Sequence, residues 1–411
     1  MKSNELKILY VCTDFPYPPR NGGLVDMWNR IQSLHGLGVI LDVIVTVREQ
    51  PPVRDREKVE KLVRRLIISK RQRSIYGLFS IKPSQTAIRR DLRRAKLDDH
   101  YDAVLMHSEF ASEILLNKTL KYRTSIIRVD NDEYAYYIQT AEAERSWLRK
   151  LYFLQEAIRI RRYSAKMFPA MDMLWFISQD ELARYNLLRN PHNRQHTAFV
   201  PSAVDLRLLD QPPLEGMQVL FVGNLWIPLN RQAVEWYIAN VHSRLKDVPG
   251  YKFLIAGSTR GNCCVWLEEI VRPHANITTY FDSDDLSPFY KSSAVFVNPM
   301  QKGAGVKLKT IEAVVRGLPV VSTKIGAEGS GLLSGIHYKC ADTPTEFAAR
   351  IKEFLMDKES AREFVGRSQV YIKEWYDQGK VLEGVLHEVG DRSQVCAVTP
   401  RGKNLEDPAT F

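Results

Sequence analysis

Residues 294–331 read A-V-F-V-N-P-M-Q-K-G-A-G-V-K-L-K-T-I-E-A-V-V-R-G-L-P-V-V-S-T-K-I-G-A-E-G-S-G. An apolar run ends at Asn298-Pro299, a loop of glycine and lysine follows, and the apolar spacing predicts a helix from about Val306 to Arg316. Gly317 breaks that helix, and Pro319 opens a second β-branched run, Val320-Val321-Ser322-Thr323. Strand, glycine loop, helix, strand is a parallel α/β unit. Its loop seats anions, because the amides of the helix's first turn point outward and the dipole favours negative charge. Gly303 and Gly305 let backbone approach a diphosphate without a Cβ in the way, although two glycines alone also make an ordinary turn. Lys307, Lys309 and Glu312 stand at the entrance and suit a ligand carrying both phosphate and hydroxyl groups. Lys309 and Glu312 are three apart and share a helix face, so a salt bridge of little consequence is the plain alternative. Their place at the carboxyl end of a strand, where open α/β sheets bind ligands, favours the functional reading.

Outward from this stretch the same alternation recurs. Candidate strands in the first half are Lys7–Cys12, Val39–Val47, Ala103–Met106, Ser125–Val129 and Met173–Ile177, with helical spacing from Gly23 to Leu37. A break at Asp210-Gln211-Pro212-Pro213 precedes a restart: Val219–Gly223, a helix over Arg231–Leu245, then Phe253–Gly257. The expected fold is α/β, with two Rossmann-like doubly wound parallel-sheet domains. The first covers residues 1–210 and the second 211–370; a C-terminal helix over 371–390 returns to the first, and a mobile tail occupies 391–411.

The 411 residues carry a formal charge of +10, which favours anionic partners. Five scattered cysteines (Cys12, Cys263, Cys264, Cys340, Cys396) include no C-x-x-C, and His192 and His196 have no third candidate ligand close by in sequence. Neither a disulfide framework nor a metal site is indicated, and a reducing cytoplasm is the simpler setting. No apolar run is long enough to span a bilayer, so the expected location is cytoplasmic, with any membrane contact peripheral.

Between Arg54 and Lys96 stand fifteen Lys/Arg against four Asp/Glu, a local excess of +11, with Leu62, Leu66, Ile67, Ile68, Ile75, Leu78 and Phe79 interleaved. Two readings carry equal weight: a basic amphipathic segment resting on an anionic bilayer, or a solvated face whose apolar side lies in the core. Nucleic acid is not expected, since no recognised binding motif accompanies the charge.

Two further loops follow strands. Thr13-Asp14-Phe15-Pro16-Tyr17-Pro18-Pro19-Arg20-Asn21-Gly22-Gly23 is stiffened by three prolines and ends where a helix starts; it lacks G-x-G-x-x-G, which argues against ordinary dinucleotide binding. Arg128-Val129-Asp130-Asn131-Asp132-Glu133-Tyr134 could offer a carboxylate to a substrate hydroxyl, or could simply cap a helix through Asp130 or Asn131.

Taken together these segments resemble the retaining glycosyltransferases of family 4, which have the GT-B fold, and in particular a bacterial polysaccharide-type subgroup. I-L-Y-V-C-T-D-F-P-Y-P-P-R-N-G-G is similar to that family's first strand and glycine loop, F-V-G-N-L-W-I-P-L-N-R-Q-A-V-E-W to the start of its second domain, and G-A-G-V-K-L-K-T-I-E-A-V-V-R-G-L-P-V-V-S-T-K-I-G-A-E-G to its donor-site signature. The resemblance runs from about Lys7 to Trp375. It implies a nucleotide-sugar donor held by the second domain and a saccharide or lipid-linked saccharide acceptor on the first. Glu312 would hydrogen-bond the ribose, and Lys309 with Lys307 would neutralise the diphosphate. Backbone at Gly22, Gly23, Gly223, Asn224, Gly303 and Gly305 would approach the donor, and Glu328 and Gly329 would line the nucleotide pocket. The family's frequent Glu, eight residues before Glu312, is Ala304 here; its common Arg and Lys are Asn224 and Leu229; its usual acceptor-side His is Asp130. Asp130 would then orient the acceptor.

The activity so implied is sugar transfer with retention at the anomeric carbon, in cell-surface polysaccharide or glycoconjugate synthesis. Lysines and amides would stabilise the departing diphosphate, so no metal and no cofactor is expected. The Asp130 departure keeps open a non-catalytic sugar-nucleotide-binding partner subunit, and the architecture also admits a nucleotide-sugar epimerase.

Overall fold

The computed structural model describes residues 6–19, 22–72, 77, 80–97, 99–144, 146–189, 195–206, 214–259, 265–283, 285–303 and 305–395. Outside them lie Asn21, Arg73, Ile75, Leu78, Phe79, His192, the break at 210–213, Cys263, Cys264, Ala304 and the chain from Cys396 onward. The chain divides into two compact units, one of residues 1–138, 148–204 and 378–411, the other of 139–147 and 205–377.

The first unit holds a seven-stranded parallel sheet in the order β3-β2-β1-β4-β5-β6-β7. The strands are β1 (Lys7–Cys12), β2 (Ile40–Val47), β3 (Arg65–Lys70), β4 (His100–His107), β5 (Lys121–Val129), β6 (Met173–Phe176) and β7 (His196–Phe199). β1 pairs with β2 through Tyr10↔Val43 and with β4 through Leu9↔Val104. Its residues Ile8 to Cys12 are all buried, as expected of a parallel strand covered on both faces. Helix α1 (Gly22–Gly36) buries Met27, Ile31 and Leu34, which lie about one turn apart, against one face. The C-terminal helix Gln378–Val395 adds Leu382, Val385, Leu386 and Val389 to the same core. Helix α2 (Trp147–Ala170) covers the opposite face through Tyr163 and Met167, beside α3 (Gln179–Leu188).

The second unit repeats the plan with six parallel strands in the order β10-β9-β8-β11-β12-β13. They are β8 (Gln218–Val222), β9 (Lys252–Gly257), β10 (Ile277–Phe281), β11 (Val295–Asn298), β12 (Val320–Ser322) and β13 (Lys339–Cys340). Helix α4 (Pro228–Asn240) follows β8 with proline in its first turn, where no N–H is needed. Helix α5 (Leu308–Val315) follows β11. In both sheets the strand order reverses once, between β1 and β4 and between β8 and β11. At such a reversal the flanking connections diverge and leave a crevice beyond the strands' carboxyl ends. At the second crevice β8 and β9 come so close that a Cβ on Gly257 would lie 1.8 Å from the Gly223 carbonyl oxygen.

The described part of the segment from Arg54 to Lys96 favours the second of the two readings offered for it. It is not one amphipathic surface helix but a helix (Val53–Glu60), strand β3, a short helix (Ser84–Ala87) and a 3-10 turn (Arg90–Arg94). Its apolar residues Leu62, Leu66 and Ile68 pack on the core of the sheet. Many of its cations are engaged inside the protein. Arg64 and Arg65 meet the buried Asp42 at 2.5 and 3.4 Å, Arg71 meets Asp14 at 2.9 Å, and Lys82 and Arg93 clasp the buried Glu113 at 2.8 and 2.6 Å. A bilayer-resting segment needs its charges and apolar side chains free, and these five cations and three apolar residues are committed within the protein. Among the described residues no helix is long and apolar enough to cross a membrane. At the other end, residues 391–395, assigned to a tail by composition, continue the C-terminal helix.

Candidate functional site

The donor-side residues gather at the crevice of the second unit. Asn298, the last residue of β11, is fully buried, and its amide donates to Thr310 Oγ1 (2.9 Å) and to the Gly326 carbonyl (2.7 Å). Thr310 itself donates to Gly326 (2.7 Å). This knot ties the first turn of α5 to the loop ahead of Glu328 and Gly329. Gly329 has φ +72°, and a Cβ there would sit 2.9 Å from the Val306 side chain, so the loop's close pass beside α5 requires glycine.

Lys309 projects from α5 toward β8. Its ammonium donates to Asn230 Oδ1 of α4 at 2.6 Å and lies 4.7 Å from the centre of the Phe221 ring. Among the described residues it pairs with no carboxylate, so the intrahelical bridge to Glu312 does not form; Glu312 instead faces Arg316 at 3.7 Å. Burial, helped by the nearby Lys307 charge, pulls the Lys309 pKa down to about 7. Burial raises that of Glu312, with Arg316 opposing. Gly223 is adjacent: a Cβ on it would lie 3.2 Å from the Lys309 amine. The Asn224 carbonyl accepts from Asn230 Nδ2 at 3.0 Å, which fixes the amide that holds Lys309. Lys307 has a different place from the one its spacing suggested. It is buried at the helix start, and its ammonium folds back onto the Gly305 and Gly303 carbonyls (2.6 and 3.2 Å), with Glu328 at 3.6 Å. It therefore shapes the glycine loop, while Lys309 is the cation held without an anion.

In the first unit Gly22 and Gly23 open α1 just beyond β1, with first-turn amides that the helix itself does not use. Asp130, beyond the end of β5, belongs to a buried ionic network. Arg128 Nε reaches Asp130 Oδ1 at 3.0 Å and Asp26 Oδ2 at 2.7 Å, and His107 Nε2 reaches Asp130 Oδ2 at 3.1 Å. Tyr10 Oη lies 2.8 Å from His107 Nδ1. Burial lowers the His107 pKa, against the pull of Asp130 and Asp26, and raises that of Tyr10. A carboxylate only accepts, so His107 Nε2 carries the proton toward Asp130 and Nδ1 accepts from Tyr10. Burial works to raise Asp26, but Arg128, Arg30 and His107 outweigh it and hold its pKa low. Burial raises that of Asp130 against the pull of His107 and Arg128. Asp26, His107 and Asp130 also offer ligand atoms within 4.8 Å of one another, a spacing open to a metal ion. Arg128 already donates to both carboxylates and supplies the positive charge there, so the donor set does not suit a cation.

Sequence reading missed Asn230, Phe221, Asn298, Asp26, His107 and Tyr10. The signal for His107 was available: it ends β4, one of the two strands flanking the sheet's reversal.

The profile of the glycosyl transferases of group 1 matches residues 216–357, the span that carries β8 to β13 and the Lys309 site. A 44.6 kDa protein of the cps region of Klebsiella pneumoniae is 31% identical over 394 residues, covering 93% of this chain and 99% of that protein. The chain belongs to the group 1 glycosyl transferases. Solved transferase structures share its fold at low identity. TarM of S. aureus is 11% identical with a TM-score of 0.66, covering 94% of this chain and 99% of its own. Anabaena HepE, in complex with UDP and glucose, is 12% identical with a TM-score of 0.63, covering 94% and 100%. The two parallel-sheet domains thus have the GT-B fold of those structures.

Proposed function

We propose that this transferase moves a sugar from a nucleotide-sugar to a saccharide or lipid-linked saccharide acceptor, with retention at the anomeric carbon, in cell-surface polysaccharide synthesis. The observation that carries the reading is Lys309: a cation without a carboxylate partner among the described residues, at the crevice of a parallel sheet, held by Asn230 and Phe221. UDP is named in the HepE and TarM complexes, which makes a UDP-sugar the first donor to test. The cps-region relative supports the polysaccharide role.

In this reading the acceptor hydroxyl attacks the anomeric carbon on the face from which the diphosphate leaves. The bond from that carbon to the phosphate oxygen breaks, its electron pair goes to the diphosphate, and a phosphate oxygen takes the acceptor proton. Lys309 and the amides of the Gly303–Gly305 loop stabilise the charge as it grows, with no metal ion assigned to the task. Glu312 accepts from the ribose hydroxyls, a role its partial burial and distance from Arg316 leave open to it. Asp130, fixed on both oxygens and still partly exposed, orients the acceptor. The epimerase and the non-catalytic subunit stay as rivals, and sugar transfer measured directly separates them.

The test is steady-state transfer from UDP-sugars with Lys309→Ala and Glu312→Ala. Lys309→Ala is expected to lose about two to three decades of kcat, typical of losing a donor to a transition-state oxyanion, and Glu312→Ala, which loses a contact to the ribose, to lose transfer chiefly through a raised KM, with thermal unfolding unchanged in both. Near-normal rates in both variants would end the assignment.

A further inference from the structure

A cavity of about 770 Å³ lies wholly within the first unit, beyond Val129 and Phe176 at the ends of β5 and β6 and between α2 and α3. Its volume is in the range of small-molecule sites, and its walls are mostly apolar. Tyr134, Phe168, Phe176 and Tyr185 supply the aromatic surface, while Glu109, Asp132, Glu133 and Glu181 bring four carboxyl groups to the same space. Nothing in the donor half-site uses these residues.

The hydrogen bonds around the cavity leave the Glu133 carboxyl and Asn131 Oδ1 without a donor among the described residues. Glu109 accepts from Ser108 Oγ (3.0 Å) and Ser164 Oγ (3.1 Å). Asp132 accepts from the Ala135 amide (2.9 Å) and faces Arg184 (3.5 Å), and Glu181 accepts from the Asp132 amide (3.2 Å). The Glu133 carboxyl takes no hydrogen bond and no ion pair among the described residues, and Asn131 Oδ1 is buried without a donor. The cavity's arginines are occupied elsewhere: Arg161 lies over the Tyr134 ring at 5.2 Å, Arg184 faces Asp132, and Arg189 donates to the Gln195 carbonyl (3.0 Å). Asn131 Oδ1, buried without a donor, costs free energy until one arrives, and the part-exposed Glu133 carboxyl beside it has no protein partner among the described residues, so the apolar, aromatic cavity suits a ligand that donates.

The sign of the local field narrows the donor further. Burial raises the Glu133 pKa well above the ordinary carboxyl range, and the next four influences, Glu109, Asp130, Asp132 and Glu181, all push the same way. A hydroxyl would satisfy the hydrogen bond but leave that repulsion in place. An ammonium satisfies both, and aromatic faces attract cations as well. We propose that this cavity binds a sugar unit carrying a free amine, its ammonium on Glu133, its hydroxyls toward Asn131 and its ring against the aromatic walls. This deepens the transfer reading, resting on it only for the amino sugar's role as acceptor.

The test is binding to the full chain at neutral pH, by calorimetry or saturation-transfer NMR, of glucosamine, glucose and N-acetylglucosamine. UDP-glucose is titrated into the same preparations. Glucosamine is expected to bind about tenfold or more tighter than the two neutral sugars, the ratio of a charged to a neutral hydrogen bond. Glu133→Gln, isosteric and relieved of like-charge repulsion, is expected to abolish that preference while keeping UDP-glucose affinity and thermal stability. Equal binding of the three sugars, no binding of glucosamine at saturating concentration, or a preference that survives Glu133→Gln each overturns the proposal. Failure of UDP-glucose to bind would strike the transfer reading instead.

Discussion

Lys309 makes donor binding depend on pH in a direction the geometry fixes. The ammonium sits against Phe221 and Asn230 with Lys307 nearby, and these surroundings bring its pKa to about 7 in the empty site. A diphosphate favours the charged form. Binding therefore takes up a proton whenever the empty site has lost one, and affinity falls as pH rises. With a pKa of about 7, the charged fraction is about 0.9 at about pH 6, half at about pH 7, a tenth at about pH 8 and a hundredth at about pH 9. The Kd of UDP-glucose should thus rise about tenfold from about pH 6 to 8 and about tenfold again to about pH 9, or about 1.4 kcal/mol per decade. A sugar-linked diphosphate has no proton of its own to lose in that range, so the slope belongs to the protein. Calorimetry in two buffers of different ionisation enthalpy reads the uptake directly: about half a proton at about pH 7 and about 0.9 at about pH 8. In Lys309→Met binding should be weaker and flat with pH. Buffer-independent heats and a flat wild-type profile, or a slope retained in the variant, would refute the argument.

Arg128→Met leaves Asp26 and Asp130 buried without their shared cation and should cost about 3–5 kcal/mol, read as a lower denaturant midpoint. Gly257→Ala places a methyl 1.8 Å from the Gly223 carbonyl oxygen, so β8 and β9 must part at their carboxyl ends beside the crevice; a fall in both Tm and UDP-glucose affinity is expected from thermal shift with and without ligand. Burial would raise the pKa of Asp42, but hydrogen bonds from Arg64 and Tyr101 prevail and lower it. Its contribution is therefore fully present above about pH 4 and lost as pH falls through the folded value. Asp42→Asn should flatten the acid limb of a stability–pH curve.

What could be read in the sequence was local. Gly303, Gly305 and the Lys307–Glu312 helix opening announce themselves within ten residues, because a glycine loop between a β-branched run and an apolar helix face has few other uses. What could not be read depends on partners far along the chain. β3 was hidden because Arg65-Leu66-Ile67-Ile68 looks like a basic amphipathic stretch until Asp42 of β2 is known to lie beside it. His107 is one histidine among nine; its meaning comes from Tyr10, 97 residues earlier, and from Asp130 beyond the neighbouring strand. The place of Lys307 was equally out of reach, since its flexible four-carbon stem curls back onto the loop it follows and donates to the Gly303 and Gly305 carbonyls.

The two sheets place their chemistry alike, at the carboxyl ends of strands, yet give it opposite sign. In the second unit a lysine stands without a carboxylate, and the nearest charge, Lys307, is of the same sign. In the first unit a carboxyl group stands without a cation, and its strongest charged neighbours are carboxylates. Each arrangement is unfavourable in the empty protein, since a buried charge gains from a partner and loses from a like neighbour. Such costs persist where a ligand relieves them. On the two assignments proposed above, one wound plan used twice would separate the substrates by charge: the lysine crevice would disfavour an amino sugar and the carboxylate cavity a diphosphate. The difference lies in side chains on α5 and around α2 and α3, set on two parallel sheets of seven and six strands that each reverse order once.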